Sequence, residues 1–396
     1  MTGRWLCKVG ALWVLGAAAL TTARADWPMY RHDPARSGQA EGPAPTLAET
    51  AWTANLGGPV DSSPAVVSGL VVAGTTTGGL HALNAETGAP LWQAEIGSPI
   101  VSAPCVVDGR ICFGATDGYV YGYDLPSGGR LWRARTGRSV VAPPLAIGGR
   151  VLCGSTDGRL YALDPASGDA LWRTEAGDEI HAGAAATEDV VVFADWSGRV
   201  TCVRVADGAE VWPEPFAADG PVIACPVITG SRVVVCSLSR SQLTPGHSTN
   251  VDVLDLATGR RVWGAPGRNP WQTDKEGVMS VATPATVLGD AVWFLTGEGY
   301  GNWQGILRSV ALETGARGQM IRPRGGSGVC FSDSAAAAVG PVLYLADYGA
   351  YLYQFNAATL RFGAAAALGA RTVSSPAISD GCAYLGLADG RLVCFR

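Results

Sequence analysis

Histidine is scarce in this chain, and several residue groupings on which enzymes are built are missing from it. Only four His occur in 396 residues, at His32, His81, His181 and His247, and no two of them have the spacing of a metal-binding pair. The sequence also lacks a Gly-rich phosphate loop and a Ser nucleophile elbow. None of the cysteine spacings resembles a zinc site. We therefore assign no catalytic and no metal-binding residue from the sequence.

Charged residues and long apolar runs are also limited. Charged residues make up 16% of the chain and hydrophobic ones 47%, which favours a large buried β core over disorder. The one long apolar run, Val9–Leu20, follows Arg4 and Lys8 and precedes small residues. This pattern is typical of a signal peptide, and the run is too short to span a bilayer. We expect cleavage near Ala25 and a periplasmic or secreted protein.

Net charge argues against two classes of partner. Removal of the three basic residues Arg4, Lys8 and Arg24 with the signal peptide changes the formal charge from −5 to −8, because no acidic residue is lost. An acidic protein is a poor ligand for nucleic acid and for anionic membranes. Cys7 lies before the apolar run, and Arg4 stands where a lipidation site needs an aliphatic residue. We therefore expect no stable membrane anchor.

Tryptophan, by contrast, recurs at a fixed interval. Successive Trp residues are 40 positions apart from Trp52 to Trp212, and a sixth follows after a longer step. The surrounding sequence repeats as well, as a comparison of Leu83–Trp92 with Leu163–Trp172 makes plain. A period near 40 residues is typical of a β-propeller, in which each repeat forms one blade. We predict a structural role between blades for the period-setting residues Trp52, Trp92, Trp132, Trp172, Trp212 and Trp263.

Each repeat divides into four short strands separated by turns. After the strand at Leu145–Ile147, turns at Gly148-Gly149, Asp157-Gly158 and Ser167-Gly168 separate the next three strands. Gly and Asp-Gly supply the positive backbone angles that tight hairpins need. Inner strands begin at eight such places, which are Pro64, Pro104, Pro144, Ala184, Pro226, Pro284, Ala335 and Pro376. The sequence therefore predicts an all-β fold, an eight-bladed β-propeller of four-stranded antiparallel blades.

The last repeat is one strand short. It ends at Arg396 after three strands, whereas Glu49–Asn55, near the other end of the chain, provides a strand with Trp52. Pairing the two would close the ring and remove the open sheet edges that invite aggregation. We therefore predict a signal peptide over 1–25, an N-terminal extension over 26–48 and a single propeller domain over 49–396. We expect this protein to be monomeric.

Nine cysteines remain after residue 25, in a compartment that permits disulfides. Cys202 and Cys394 occupy a strand position that is alanine in other repeats, which is typical of small core residues. Cys105 and Cys112 flank an Asp-Gly turn, so the hairpin places them opposite each other. Two states remain open for this pair, a cross-strand disulfide or two packed thiols.

Blades five and six depart from the short loops of the other repeats. Ser239–Asn250 and Gly297–Gly305 lengthen the loops between second and third strands, and Gly264–Ser280 and Ala316–Ser332 lengthen the exits to the next blade. All four insertions should emerge on one face of the ring, where aromatic and charged residues are typical of a recognition surface. Functionless insertions are the alternative. The partner-binding candidates are Trp196 of blade four and Arg268, Trp271, Lys275, Glu298, Tyr300, Trp303, Arg322 and Arg324.

The repeats resemble the pyrroloquinoline-quinone (PQQ) repeats of bacterial propellers. Asp164, Ser167-Gly168 and Trp172 match their pattern of an acidic or Asn residue, a Thr/Ser-Gly turn and a Trp four residues beyond the Gly. Asp26–Gly38 is similar to the mature N-termini of many PQQ-like proteins. In length, export signal and ring closure the chain is most similar to the BamB-like group of periplasmic propellers. The resemblance covers nearly all of the mature chain and implies the fold, which hosts quinone dehydrogenases and binding scaffolds alike.

Two functions of different classes follow from this resemblance. The first is an exported, non-enzymatic scaffold that binds a protein partner in the periplasm through the loop-rich face of blades five and six, without a cofactor. The second is a PQQ-dependent oxidoreductase that uses calcium, or a degenerate relative of one. The dehydrogenases are usually longer and many carry two adjacent cysteines, which this sequence lacks, and their calcium-binding residues find no counterpart in it. We therefore prefer the scaffold, with a ligand sensor that uses the axial channel beside His181 as a third hypothesis.

Overall fold

The computed structural model describes residues 26–238, 249–263, 283–298, 304–322, 334–347 and 349–396. Every regular element in these ranges is a β-strand, and the first two are β1 (Gln39–Ala40) and β2 (Thr50–Asn55). No helix in these ranges could span a membrane.

The first four blades follow one another without long interruptions. Blade 1 contains β3 (Ala65–Val67), β4 (Leu70–Gly74), β5 (Gly79–Asn84) and β6 (Pro90–Glu95). Blade 2 contains β7 (Cys105–Val107), β8 (Arg110–Gly114), β9 (Tyr119–Asp124) and β10 (Arg130–Arg135). Blade 3 contains β11 (Leu145–Ile147), β12 (Arg150–Ser155), β13 (Arg159–Leu163) and β14 (Ala170–Glu175). Blade 4 contains β15 (Ala185–Ala186), β16 (Val190–Ala194), β17 (Arg199–Arg204) and β18 (Phe216–Ala217).

The remaining blades are less uniform. Blade 5 contains β19 (Val227–Thr229), β20 (Arg232–Leu238) and β21 (Thr249–Asp255), and its outer position is a single bridge between Leu254 and Arg261. Blade 6 contains β22 (Thr286–Leu288), β23 (Ala291–Glu298), β24 (Gln304–Ala311) and β25 (Arg317–Ile321). Blade 7 contains β26 (Ala337–Val339), β27 (Val342–Ala346), β28 (Tyr351–Asn356) and β29 (Arg361–Ala367). Blade 8 contains β30 (Ala377–Ser379), β31 (Cys382–Gly386) and β32 (Arg391–Phe395), completed by β2.

The eight sheets confirm the predicted all-β, eight-bladed propeller. The predicted ring closure is confirmed as well, because β2 pairs antiparallel with β32 and places Trp52 opposite Cys394. The tight turns have their predicted geometry. Asp108 and Gly109 have φ angles of 48° and 70°, which is the two-residue turn that matches the twist of the flanking strands.

That turn sets Cys105 directly opposite Cys112, as the sequence predicts. The sequence leaves open a disulfide or two packed thiols for this pair, and the structure contains two free thiols. The other described cysteines are also free and buried.

Each of the six period-setting tryptophans lies between its own blade and the next one. Nε1 of Trp132 donates to the carbonyl oxygen of Pro165 at 3.0 Å. A Cβ added at Gly168 would lie 2.6 Å from Cε3 of the same ring, so only glycine fits against it. The same hydrogen bond and the same glycine contact join the other five tryptophans to the following blade. The turn before the outer strand of each such blade therefore also binds the tryptophan of the preceding blade.

Residues 26–40, called the axial segment below, lie in the central channel. β1 pairs in parallel with the inner strand β26 of blade 7. Main-chain hydrogen bonds join the rest of the segment to other inner strands, with the pairs Trp27–Val66, Pro28–Val106, Pro34–Ala186 and Ala35–Ile228. The axial segment therefore fills part of the channel that the inner strands enclose.

Two arginines fix the axial segment from within. Arg36 is fully buried, and its guanidinium donates to the carbonyl oxygens of Tyr30, Pro143, Pro144 and Ala184. Arg31 is likewise buried and reaches the carbonyl oxygens of Ala285 and Ala336 on the other side of the channel. Burial lowers the pKa of both guanidinium groups, because removal from water disfavours the charged form. Blades 3 and 4 are thus connected to blades 6 and 7 through the axis.

Candidate functional site

One face of the ring, called the upper face below, carries the loops between second and third strands and the exits to the next blade. The other, the lower face, carries the remaining turns. On the upper face of six blades a main-chain hydrogen bond ties the loop to the preceding exit, with donor and acceptor pairs Thr76–Pro59, Thr116–Pro99, Thr156–Ser139, Trp196–Glu179, Leu238–Pro221 and Ala388–Arg371. These bonds identify equivalent positions, so a residue that departs from its counterparts can be recognised.

Blade four departs from the other blades at three positions that touch one another. Trp196 stands where the first three blades have Thr, and Glu179 where they have Pro or Ser. His181, two residues after Glu179, stands where blades 2, 3 and 8 have Val. The ring centroids of His181 and Trp196 are 4.9 Å apart, and His181 Nε2 lies 2.9 Å from the Glu179 carboxylate. Arg138 of the preceding exit donates to the same carboxylate at 2.7 Å.

These four residues, Arg138, Glu179, His181 and Trp196, are called the upper-face cluster below. Trp196 is 43% exposed, which is high for the largest apolar side chain. The hydrogen bond from His181, followed by the contacts with Arg138, holds the pKa of the Glu179 carboxyl below its usual range. The cluster therefore presents a flat apolar surface beside an ionised carboxylate and a guanidinium.

Asp195 positions Trp196 from below. Its carboxylate is buried and accepts hydrogen bonds from the main-chain nitrogens of Gly177 and Arg199, at 2.8 and 3.0 Å. The Ser197 hydroxyl donates to the same carboxylate at 2.7 Å. Because these bonds join the loop to the exit beside it, the backbone that carries Trp196 is held before any ligand arrives.

The structure describes only some of the predicted partner-binding residues. Trp196 lies in the upper-face cluster, and Arg322 is an exposed residue directly after β25. For Glu298 the structure gives the backbone, which pairs with Gln304 at the tip of the β23–β24 hairpin. The other candidates, Arg268, Trp271, Lys275, Tyr300, Trp303 and Arg324, lie outside the described residues.

Two of the predicted insertions are partly regular structure. The sequence predicts a long loop over residues 297–305. In the structure β23 and β24 pair as far as Glu298 and Gln304, because the extra residues lengthen the strands of the hairpin. The insertion over 316–332 likewise begins with β25, which forms the outer strand of blade 6.

Sequence reasoning missed two features of the site. The pattern of turn residues identified Trp196 and His181 but not the Arg138–Glu179 pair, which only an alignment of equivalent exits brings together. It also gave no role to Arg31 and Arg36, which lie among other polar and charged residues of the extension, such as Asp26, His32 and Asp33. Within the described ranges, no group of three or more His, Cys, Asp and Glu is placed to hold a metal ion.

Solved structures with the same fold come from proteins of different function. BamB from Moraxella catarrhalis is 16% identical with a TM-score of 0.69, over 88% of this chain and 99% of that one. The quinohemoprotein alcohol dehydrogenase from Comamonas testosteroni is 14% identical with a TM-score of 0.72, over 94% and 80%. A europium-containing methanol dehydrogenase is 13% identical with a TM-score of 0.69, over 92% and 89%. At such low identity, these likenesses establish the fold and not the activity.

Comparison by sequence gives a family match and no match among curated proteins. The family profile described as outer membrane protein assembly factor BamB matches residues 45–181 and 156–396, which together span the propeller and its closing strand. The chain therefore belongs to the BamB family of PQQ-like β-propeller repeat proteins.

Proposed function

We propose that the mature chain is an exported, non-enzymatic scaffold that binds a protein partner in the bacterial envelope. The upper face of blades four to six is the binding surface in this proposal. The observation that carries it is the exposed, pre-positioned Trp196 in the upper-face cluster. Exposed Trp and Arg residues beside charged groups are enriched where proteins bind one another.

Preorganisation supports this choice of surface. Trp196 is held by its main-chain bond to Glu179, by the His181 ring and by the Asp195 loop network. Binding loses free energy when mobile side chains must be ordered, and a side chain that is already held loses less. A partner that covers Trp196 would bury a large apolar ring at little entropic cost.

The axial segment argues against a ligand in the depth of the channel. Arg36 and β1 occupy space between the inner strands, and their hydrogen bonds run to the strand backbones. His181, which the sequence offered for a channel sensor, packs on Trp196 instead. The upper surface therefore offers more room for recognition than the axis does.

The family suggests a partner class. Its profile is described as an outer membrane assembly factor, so we propose that the partner is another component of such an assembly in the envelope. The expected signal peptide over 1–25 would deliver the protein to that compartment.

Alanine substitutions test the binding surface. Trp196→Ala, alone and combined with Trp271→Ala and Trp303→Ala, should lower recovery of cross-linked partner from the envelope while the melting temperature changes little. Leu91→Ala serves as the matched control, because Leu91 is 52% exposed on the outer strand of blade 1, away from this surface. Unchanged recovery with both the single and the combined variant would contradict the proposal. A large fall in melting temperature would show that these tryptophans have a structural role in the core.

A PQQ-dependent oxidoreductase is the second candidate, and the likeness to quinohemoprotein alcohol dehydrogenase favours it. The described residues offer no metal-ligand group, and the axial segment fills part of the channel, so we assign no residue to a quinone or to calcium. Calorimetric titration of the mature protein with PQQ and calcium separates the two candidates. Saturable one-to-one binding would favour the enzyme, whereas absence of binding heat is the result expected for the scaffold.

A further inference from the structure

A cavity of about 340 Å³ lies on the lower face, between blades 8 and 1. Its wall includes Cys382, Tyr384 and Arg396 of blade 8, with Asp380 of the β30–β31 turn. Blade 1 contributes Glu86 from the turn between its third and fourth strands. The cavity is far from the upper-face cluster and plays no part in the proposed partner binding.

Two cysteines meet at this cavity. β31 and β32 pair so that Tyr384 lies opposite Cys394, which puts Cys382 diagonally across from Cys394 on the same side of the sheet. Both residues are buried. The Arg396 guanidinium donates to the Cys382 sulfur from Nε at 3.4 Å. Cys382 therefore accepts a hydrogen bond from a cation, and it also faces the cavity.

The two sulfurs have different electrostatic surroundings. The hydrogen bond from Cys394, and after it the hydrogen bond from Arg396, lowers the pKa of the Cys382 thiol despite its burial. The same contact with Cys382, together with burial, raises the pKa of the Cys394 thiol. Burial first, and then the two cysteines, raises the pKa of the Tyr384 hydroxyl, so Tyr384 stays protonated. Glu86 and Asp380 are the acidic residues of the cavity wall.

Other described cysteines provide the contrast. Burial raises the pKa of Cys202 and of Cys236 to about 12. Cys105 and Cys112 form a second pair, and their mutual hydrogen bond, followed by burial, raises the pKa of Cys112 well above its usual value. The Arg396 contact and the adjoining cavity distinguish Cys382 from Cys112, Cys202 and Cys236.

We propose that Cys382 and Cys394 form a thiol pair that hydroperoxides oxidise, with Cys382 as the nucleophile and Cys394 as the resolving thiol. The Cys382 thiolate attacks one peroxide oxygen, the O–O bond breaks, and the departing oxygen takes a proton and leaves as an alcohol or water. Cys382 is then a sulfenic acid. Cys394 attacks its sulfur, an S–S bond forms, and the sulfenic oxygen leaves as water with the Cys394 proton. Two thiols are oxidised by two electrons, and one hydroperoxide is reduced.

Alkylation of the native, reduced protein tests the first half of the proposal. With iodoacetamide at about pH 6, peptide mapping should find Cys382 labelled at least about tenfold faster than Cys112, because the thiolate is the reacting form. Arg396→Met should remove this advantage. Arg391→Met is the matched control, since Arg391 begins β32, the strand that leads to Arg396, but pairs with Asp389. Equal labelling of Cys382 and Cys112, or an unchanged rate in Arg396→Met, would overturn the proposal.

Treatment with hydrogen peroxide tests the second half. The expected product is a Cys382–Cys394 disulfide found by non-reducing mass spectrometry, with Cys105 and Cys112 still reduced. Cys394→Ser should stop at a sulfenic acid on Cys382 that dimedone traps, and Cys382→Ser should yield neither species. Should Cys382→Ser fail to fold, Arg396→Met supplies the same comparison through a slower oxidation. Oxidation of Cys105 and Cys112 at the same rate would refute a specific site.

Discussion

At the scale of single residues, departures from the repeat distinguish one blade from another. The turn glycines and the blade tryptophans are alike in most blades because they perform the same packing role. Glu179, His181 and Trp196 differ from the residues at the equivalent positions of other blades, and they touch one another. A set of changes that converges in space is harder to explain by packing alone than a single exposed aromatic residue, which is common on protein surfaces.

The packing of turn glycine against tryptophan gives a prediction with a matched control. Gly168 and Gly149 have similar φ angles, 77° and 69°, but an added Cβ meets the Trp132 ring only at Gly168 and open space at Gly149. Gly149→Ala should lower the free energy of unfolding by about 1 kcal/mol through the strained backbone alone. Gly168→Ala should lower it by about 2 kcal/mol more, because the ring must move. Urea unfolding measures both, and equal values would refute the interlocking role.

The Glu179 carboxylate gives a prediction about pH. Its pKa is lowered in the folded protein, so its stabilising contacts are present above the unfolded pKa and are lost as pH falls through the folded one. The fluorescence of Trp196, taken as the difference between the protein and Trp196→Phe, should therefore change with a midpoint below about pH 4.3.

Glu179→Gln should abolish this transition. Glu175→Gln is its control, because Glu175 is an ion-paired glutamate whose partner is Arg159 rather than a residue of the upper-face cluster. Persistence of the transition in Glu179→Gln would show that another group reports on Trp196.

At the scale of elements, the axial segment is the part of the structure that the sequence predicted least. The blades follow from local signals, since Asp-Gly turns, alternating strands and the Trp period each act within about 40 residues. The axial segment depends on contacts between residues far apart in the chain, such as Arg31 with Ala336. No local pattern encodes such contacts, and an extension with two arginines resembles an ordinary exposed terminus.

The upper-face cluster could be predicted from the sequence only in part. Trp196 could be recognised because it breaks the repeat at a turn, whereas its partner Glu179 lies in an exit segment whose sequence varies between blades. Arg138 lies in the preceding exit, and only the folded ring brings its guanidinium within 2.7 Å of the Glu179 carboxylate.

Substitution of a buried arginine tests the importance of the axial segment. Arg36→Met keeps the volume but leaves the carbonyl oxygens of Pro143, Pro144 and Ala184 without their donor. The free energy of unfolding should fall by about 3 kcal/mol or more, because hydrogen bonds to a charged group and buried acceptors are both lost. Arg173→Met, at an exposed position of β14, should change it by less than about 0.5 kcal/mol. Similar values from urea unfolding would show that the segment contributes little.

At the scale of the whole molecule, the ring is closed at its circumference and again at its axis. β2 completes blade 8 at the outside, and the axial segment contacts inner strands around the channel. Two closures from one N-terminal stretch hold the blades in a fixed arrangement. Such a frame suits a surface that recognises a partner without changing shape, which is the function proposed for the upper face.

Photo-cross-linking from position 196 in living cells tests this account most directly. Benzoylphenylalanine replaces Trp196 in one variant and Leu91, on the outer strand of blade 1, in the other. The account predicts a discrete cross-linked envelope protein from position 196 that is absent from position 91. No cross-link from position 196, or the same products from both positions, would contradict a partner-binding upper face.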